Sequence, residues 1–205
     1  MRTYFKHIIL VFTLISFNFY SCSKEELPKE NNGRFGIFKV LNDSTAQMNG
    51  VITGKTPKSF NNLISKYPKI KFINMLDCPG SDDDEANLVV SKQMHDKGIS
   101  FHLLKNSEIA SGAVDMYVGG IKRTREAGSK IGVHSWGADR GDPIATSYPK
   151  GHAVHLPYIN YYISVGFSKV DAEAFYYFTI NAATADNIHW MTDEEIKQYK
   201  IITIN

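Results

Sequence analysis

Ile109-Ala110-Ser111-Gly112-Ala113-Val114-Asp115-Met116-Tyr117-Val118-Gly119-Gly120, followed further on by Ile131-Gly132-Val133-His134-Ser135-Trp136, is the stretch from which the rest of the chain is read. Ser111 stands between two small residues, after a strand-like run from Ile99 to Leu104 and a short polar loop. An apolar helical pattern follows it in Ala113, Val114, Met116, Tyr117 and Val118. A serine where a strand turns into a helix has its hydroxyl near unpaired backbone N–H groups and the positive end of the helix dipole. That setting favours both a serine nucleophile and the oxyanion it generates. His134 ends a second strand-like run, Lys130 to Val133, so strand geometry can return its imidazole beside Ser111. Taken alone, each residue also has a structural explanation, as a serine N-cap and a strand-end histidine.

Ala110-Ser111-Gly112-Ala113 and Ile131-Gly132-Val133-His134 together resemble the serine and histidine blocks of the Clp protease proteolytic subunit, of the wider Clp/crotonase group. Upstream, Phe72-Ile73-Asn74-Met75-Leu76-Asp77-Cys78-Pro79-Gly80-Ser81 resembles that family's strand ending in Asn-Ser-Pro-Gly-Gly. Three blocks in the family's order are more specific than any one of them. The resemblance covers Ile70 to Thr203. It implies an α/β fold, a Clp/crotonase-like spiral of repeated β-β-α units with a mainly parallel sheet and a helical C-terminal part. It also implies an oxyanion hole from the N–H of Gly80 or Ser81 and that of Gly112, worth a few kcal/mol per donor. This chain departs from the family at Asp77-Cys78 and Ser81, and an acidic run, Asp82 to Glu85, follows. That run reads as a solvated helix N-terminus, where acids complement the dipole; it lacks the calcium-loop pattern of an EF-hand.

The family's ending resembles Ala185-Asp186-Asn187-Ile188-His189-Trp190-Met191-Thr192-Asp193-Glu194-Glu195-Ile196, with Thr192 and Glu195 spaced as a capping box. Asp186 is thereby assigned as the acid that orients His134; His189, Asp139 and Asp142 are its competitors. The family assembles from trimers, which implies a homo-oligomer.

With 205 residues, 43% hydrophobic and 21% charged, the chain is long and apolar enough for one domain with a real core. Residues 1–21 stand apart. Arg2 and Lys6 precede an apolar run, Ile8 to Phe17, too short to span a bilayer comfortably, and Ser21 precedes Cys22. This reads as a lipoprotein signal peptide with Cys22 as the lipidation site, and Ser23-Lys24-Glu25-Glu26 resembles the export tag of Bacteroidetes-type surface lipoproteins. The alternative is an ordinary cleaved signal with a coincidental cysteine. Residues 22–34 form a lipidated tether and 35–205 the α/β domain. The expected location is the cell envelope, anchored to a membrane through lipid on Cys22. Acylation of Cys22 leaves Cys78 without an intrachain partner, as a small buried residue rather than a reactive thiol. Loss of 1–21 removes two of the 23 basic residues and none of the 21 acidic ones, so the mature chain is neutral. No basic cluster remains to suggest nucleic acid.

Periodicity places strands at Phe35 to Val40, Thr45 to Thr53, Ile70 to Leu76, Ile99 to Leu104 and Lys130 to Val133. Helices are expected at Ser59 to Tyr67, at Asp83 to Lys97 with Ala86, Val89, Val90 and Met94 on one face, and in the tyrosine-rich stretch from His152 to Val165. A further helix, Lys169 to Ala182, turns Ala172, Phe175, Tyr176 and Ile180 inward. Strand-helix alternation signals parallel crossovers. His152 and His155 lack a third ligand, and no metal or cofactor is assigned.

These readings converge on acyl transfer to water. Ser111 attacks a carbonyl, His134 moves its proton, and Asp186 holds the imidazole. A peptide is the expected substrate by resemblance, with an ester or other amide as alternatives. No Walker A loop is present, so proteolysis would be ATP-independent. Three other readings stand beside it: a surface binding module on the same fold with little or no catalysis, a crotonase-type enzyme acting on acyl-CoA, and a Ser–Lys peptidase using Lys105, Lys122 or Lys130.

Overall fold

The structure, a computed structural model, describes residues 33–137 and 143–203. The signal segment, Cys22, nearly all of the tether, Asp139 and Asp142 lie outside the described residues. Among the described residues no helix is long and apolar enough to cross a membrane.

One eight-stranded mixed sheet organises the chain. It opens with a hairpin, β1 (Arg34–Phe35) and β2 (Phe38–Val40), where the sequence pattern suggests a single strand. Gly36 breaks it: its φ is +57°, and a Cβ there would lie 2.6 Å from Ser59 Oγ. β3 (Thr45–Met48) pairs antiparallel with β2 and parallel with β4 (Phe72–Cys78), and α1 (Thr56–Lys66) makes the crossover. α2 (Asp84–Asp96) then leads to β5 (Ser100–Ala110), again parallel to β4. This repeated parallel crossover is the mainly parallel α/β centre that the alternating pattern implies.

β5 is longer than expected, because the polar segment before Ser111 belongs to it. The β4–β5 register shifts between Met75 and Asp77. Ser107 fills the irregularity: its Oγ donates to Met75 O at 2.6 Å and accepts from Leu104 N at 2.9 Å. Two otherwise orphaned backbone groups are satisfied, and the strand continues to Ala110.

α3 (Gly112–Val118) starts directly after Ser111, and β6 (Arg123–Arg125) and β7 (Lys130–Val133) both return parallel to β5. Beyond it the C-terminal part is helical: α4 (Leu156–Ser164), α5 (Lys169–Ala182) and α6 (Asp193–Gln198), with β8 (His189–Trp190) antiparallel to β7. Ala172, Phe175, Tyr176 and Ile180 are buried, as their spacing implies, and Thr192 and Glu195 form the capping box. Arg123 ties the end of α3 to the C-terminal segment. Its guanidinium donates to the carbonyls of Val118, Gly120, Lys200 and Ile201 at 2.7–3.1 Å, completing the buried end of a helix that has no basic residue of its own.

α2 differs from expectation in its inward face. Val89 is exposed, and the polar Asn87 and Ser91 are fully buried. Asn87 Nδ2 donates to Gly112 O at 2.8 Å, and Ser91 Oγ donates to Asn87 Oδ1 at 3.2 Å. That face of α2 holds the start of α3 in place.

Candidate active site

Ser111 lies where β5 turns into α3, with φ 53° and ψ −133°. A side chain in this region costs on the order of 1–3 kcal/mol and persists only where the surroundings enforce it. Here they do. Ser111 N donates to Gly132 O at 3.0 Å on β7, and Ser111 O accepts from Val114 N at 2.8 Å. The Ser111 hydroxyl makes no capping hydrogen bond, so the N-cap role does not account for this serine. A strained, uncapped serine at a strand-to-helix turn is the geometry that exposes a nucleophile.

Parallel pairing brings His134 to the same place. Ala110 stands opposite Gly132, so Ser111 and His134 leave adjacent strands at the same end. Both line one small cavity of about 40 Å³, together with Asp84, Asp115, Trp136, Tyr158, Tyr162 and Tyr176. No hydrogen bond joins Ser111 to His134, and His134 Nδ1 is buried without a partner. Asp186 is exposed on the return segment before β8 and makes no bond to that nitrogen. The segment itself is close: Ser135 N donates to Ala183 O at 2.9 Å, and a Cβ on Gly137 would lie 2.8 Å from Ala185 Cβ. His189 is engaged elsewhere, with Nε2 2.9 Å from Glu195 Oε2. None of Lys105, Lys122 and Lys130 lines the cavity, and Lys130 pairs with Glu108 at 2.6 Å.

Gly80, Ser81 and Gly112 interlock around the serine. A Cβ on Gly80, whose φ is +141°, would lie 2.9 Å from Ser111 Cβ, and one on Gly112 would lie 2.2 Å from Ser81 Oγ. Gly80 O and Asp82 N are held by Ile52 at 2.9 Å each, which fixes the turn. The amides of Gly80 and Gly112 make no hydrogen bond among the described residues. Cys78, just before the turn, is buried, and burial pushes its thiol up to about 12, so it is an inert core residue.

The acidic run divides. Asp83 caps α2, accepting from Ala86 N at 2.9 Å, while Asp84 turns inward rather than to solvent. Asp84 accepts from Ser81 Oγ and, at 2.6 Å, from Tyr158 OH. Asp115 faces the same cavity from α3 and accepts from Tyr162 OH. Sequence reasoning missed both acids as site residues. The available signal for Asp115 was one carboxylate in an otherwise apolar helix; for Asp84 there was none, since its neighbours in the run are alike. His155 is fully buried and bonded through Nδ1 to Tyr176 OH at 2.7 Å, so it is part of the aromatic packing under the cavity; no metal-binding cluster occurs among the described residues.

Burial, with a smaller contribution from Asp84, pushes the Asp115 carboxyl up to about 7. Its folded-state value exceeds the unfolded one, so the fold retains a proton that the unfolded chain releases. Stability from this group is therefore present below about pH 4 and falls as pH rises toward about 7. Asp115→Asn removes that fall while keeping an acceptor for Tyr162. Its melting temperature is expected to match wild type near pH 4 and to exceed it by on the order of 10 °C at pH 8. A difference that does not change with pH, read by thermal melts across that range, would refute this.

Among solved structures, a lysine-to-alanine mutant of the 1510-N membrane-bound stomatin-specific protease, in complex with a substrate peptide, matches 78% of this chain and 72% of its own. The TM-score is 0.52 and the identity 22%. A serine-to-alanine mutant of the same protease matches 78% of this chain and 76% of its own, at TM-score 0.52 and 21% identity. The ClpP1 N-to-D mutant from Listeria monocytogenes covers 78% and 89%, at TM-score 0.48 and 16% identity. At such identities the two stomatin-protease likenesses show a shared fold, and the chemistry rests on this chain's own residues. No protein-family model and no curated protein matches the chain.

Proposed function

We propose that this chain is a serine hydrolase of the cell envelope, an ATP-independent peptidase of the Clp protease kind. The single observation that carries the reading is the strained, uncapped Ser111, set in one cavity with His134. Ser111 Oγ attacks the substrate carbonyl as His134 takes its proton. The tetrahedral oxyanion is held by the amides of Gly112 and of Gly80 or Ser81, and His134 then protonates the leaving group. Water repeats the sequence on the acyl-enzyme. Catalytic hydrogen bonds commonly shorten only when substrate is bound, which accommodates the open Ser111–His134 pair. Asp186 supplies the orienting carboxylate in this reading, with Asp139 and Asp142 as the other acids near His134 in the chain. The spiral of β-β-α units, the trimer-based assembly and the lipid anchor on Cys22 belong to the same proposal.

The unpartnered His134 Nδ1 favours a second reading, a binding module that keeps the fold without efficient turnover. Labelling with a fluorophosphonate probe separates the two. Covalent labelling of the purified chain, lost in Ser111→Ala, is the expected result. A folded chain that resists labelling while binding peptide would leave the binding module in its place.

A further inference from the structure

We propose that the cavity beside Ser111 is a specificity pocket for a cationic group, an ammonium or guanidinium head held between Asp84 and Asp115. This rests on the hydrolase reading and names the substrate class it acts on: peptides or amides whose side chain at the cleavage site is basic.

Two carboxylates from different elements, the start of α2 and the middle of α3, face one cavity. Buried charges are ordinarily paired. Among the described residues neither acid has a basic partner; every salt bridge lies elsewhere. Their hydrogen bonds come from neutral hydroxyls: Ser81 and Tyr158 on Asp84, Tyr162 on Asp115. Each Asp84 oxygen accepts one of these bonds and keeps a lone pair, whereas Asp115 Oδ2 accepts no hydrogen bond and is not a fully enclosed atom. Asp115 Oδ2 is the wholly free acceptor for a ligand, and Asp84 supplies the second negative charge.

The walls suit a cation as well. Tyr158 stacks on Tyr176 with ring centroids 5.5 Å apart, and both rings line the cavity. Aromatic faces attract cations electrostatically. Burial keeps both phenols protonated, so they add no competing charge of their own. A cavity of about 40 Å³ has room for roughly three water-sized spheres, enough for an ammonium or guanidinium head. The same cation resolves an electrostatic conflict: unneutralised, Asp84 and Asp115 oppose the negative charge that develops on the oxyanion at Gly112. A basic substrate brings the neutralising charge with it, and a neutral one does not.

The pocket is tested without turnover by titrating the full chain calorimetrically with n-butylammonium and with n-butanol, its neutral counterpart in size. Butylammonium is expected to bind at least tenfold more tightly at pH 8 and to weaken toward pH 6, where Asp115 takes up a proton. Asp115→Asn and, as an independent variant, Asp84→Asn each remove the preference. Equal binding of the two probes, no binding of either, or a preference unchanged in both variants overturns the proposal. In parallel, peptide amides with lysine at the cleavage site are expected to exceed norleucine ones at least tenfold in kcat/KM, and Asp115→Asn to bring that ratio near one. Cation binding with no hydrolysis of any peptide would end the hydrolase reading and leave the pocket standing.

Discussion

His134→Ala lowers the turnover of a peptide or ester substrate by about 10⁴–10⁶-fold, the loss seen when the base of a serine triad is removed. Thermal stability is expected to stay within about 0.5 kcal/mol of wild type, as for substitutions that break no packing or bonding feature. The structure gives the reason for this split. His134 follows the last residue of β7, is half-buried, and makes no hydrogen bond that the fold would lose. An effect on rate with none on stability marks a group that acts on the reacting atoms. The opposite pattern, retained turnover in His134→Ala with loss in Lys105→Ala, Lys122→Ala or Lys130→Ala, transfers the base to a Ser–Lys pair and sinks the assignment. The cavity speaks against that outcome, since none of the three lysines reaches it. Asn substitutions at Asp186, Asp139 and Asp142 complete the series. The orienting acid is the one whose replacement lowers turnover by about 10⁴-fold, because the wrong tautomer of His134 is then favoured. Equal, small losses at all three would mean that His134 works without a third residue.

Gly80→Ala lowers turnover by about 10²–10³-fold, the range for loss of one oxyanion donor. Two physical effects coincide at this position. A φ of +141° is foreign to any residue with a side chain, and the new Cβ would meet Ser111 Cβ at 2.9 Å. Relief of either strain moves the turn that carries the Gly80 amide or displaces Ser111, which it abuts. Gly151→Ala is the matched control: its φ of +87° is also positive, but nothing lies within 4 Å of the new atom. It is expected to cost about 1 kcal/mol of stability and leave kcat/KM unchanged. Similar kinetic losses in both variants would show that backbone strain, and not the position beside Ser111, governs the effect.

Much of this architecture is legible in the sequence because it is local. The periodicity of Lys169 to Ala182, the capping box at Thr192 and Glu195, and the Lys130 to Val133 strand each depend on neighbours a few residues away, and each is found where the pattern puts it. The placement of Ser111 and His134 on one cavity is legible for a related reason. Both stand immediately beyond parallel strands, and parallel strands end on one side of a sheet.

What escaped the sequence is set by long-range partners. The segment before Ser111 looks like a loop by composition, and becomes strand because Ser107 reaches Met75 across the sheet. Val89 fits the apolar face of α2 by spacing, and is displaced from it by Asn87, whose amide is needed at Gly112. Asp84 is indistinguishable from its acidic neighbours until α4 supplies Tyr158, and Asp115 gains its meaning only when Tyr162 and Asp84 close around it. By itself the sequence determined the order of the central strands and helices, the serine at the strand-to-helix turn and the histidine at the end of the Lys130 to Val133 strand, since spacing and side-chain type suffice for these. Only the tertiary structure decided that Ser111 is strained and uncapped, that Asp186 is exposed, and that two carboxylates without basic partners among the described residues share a cavity with Ser111. Burial, charge and hydrogen-bond satisfaction depend on which distant groups arrive, and no local pattern records that.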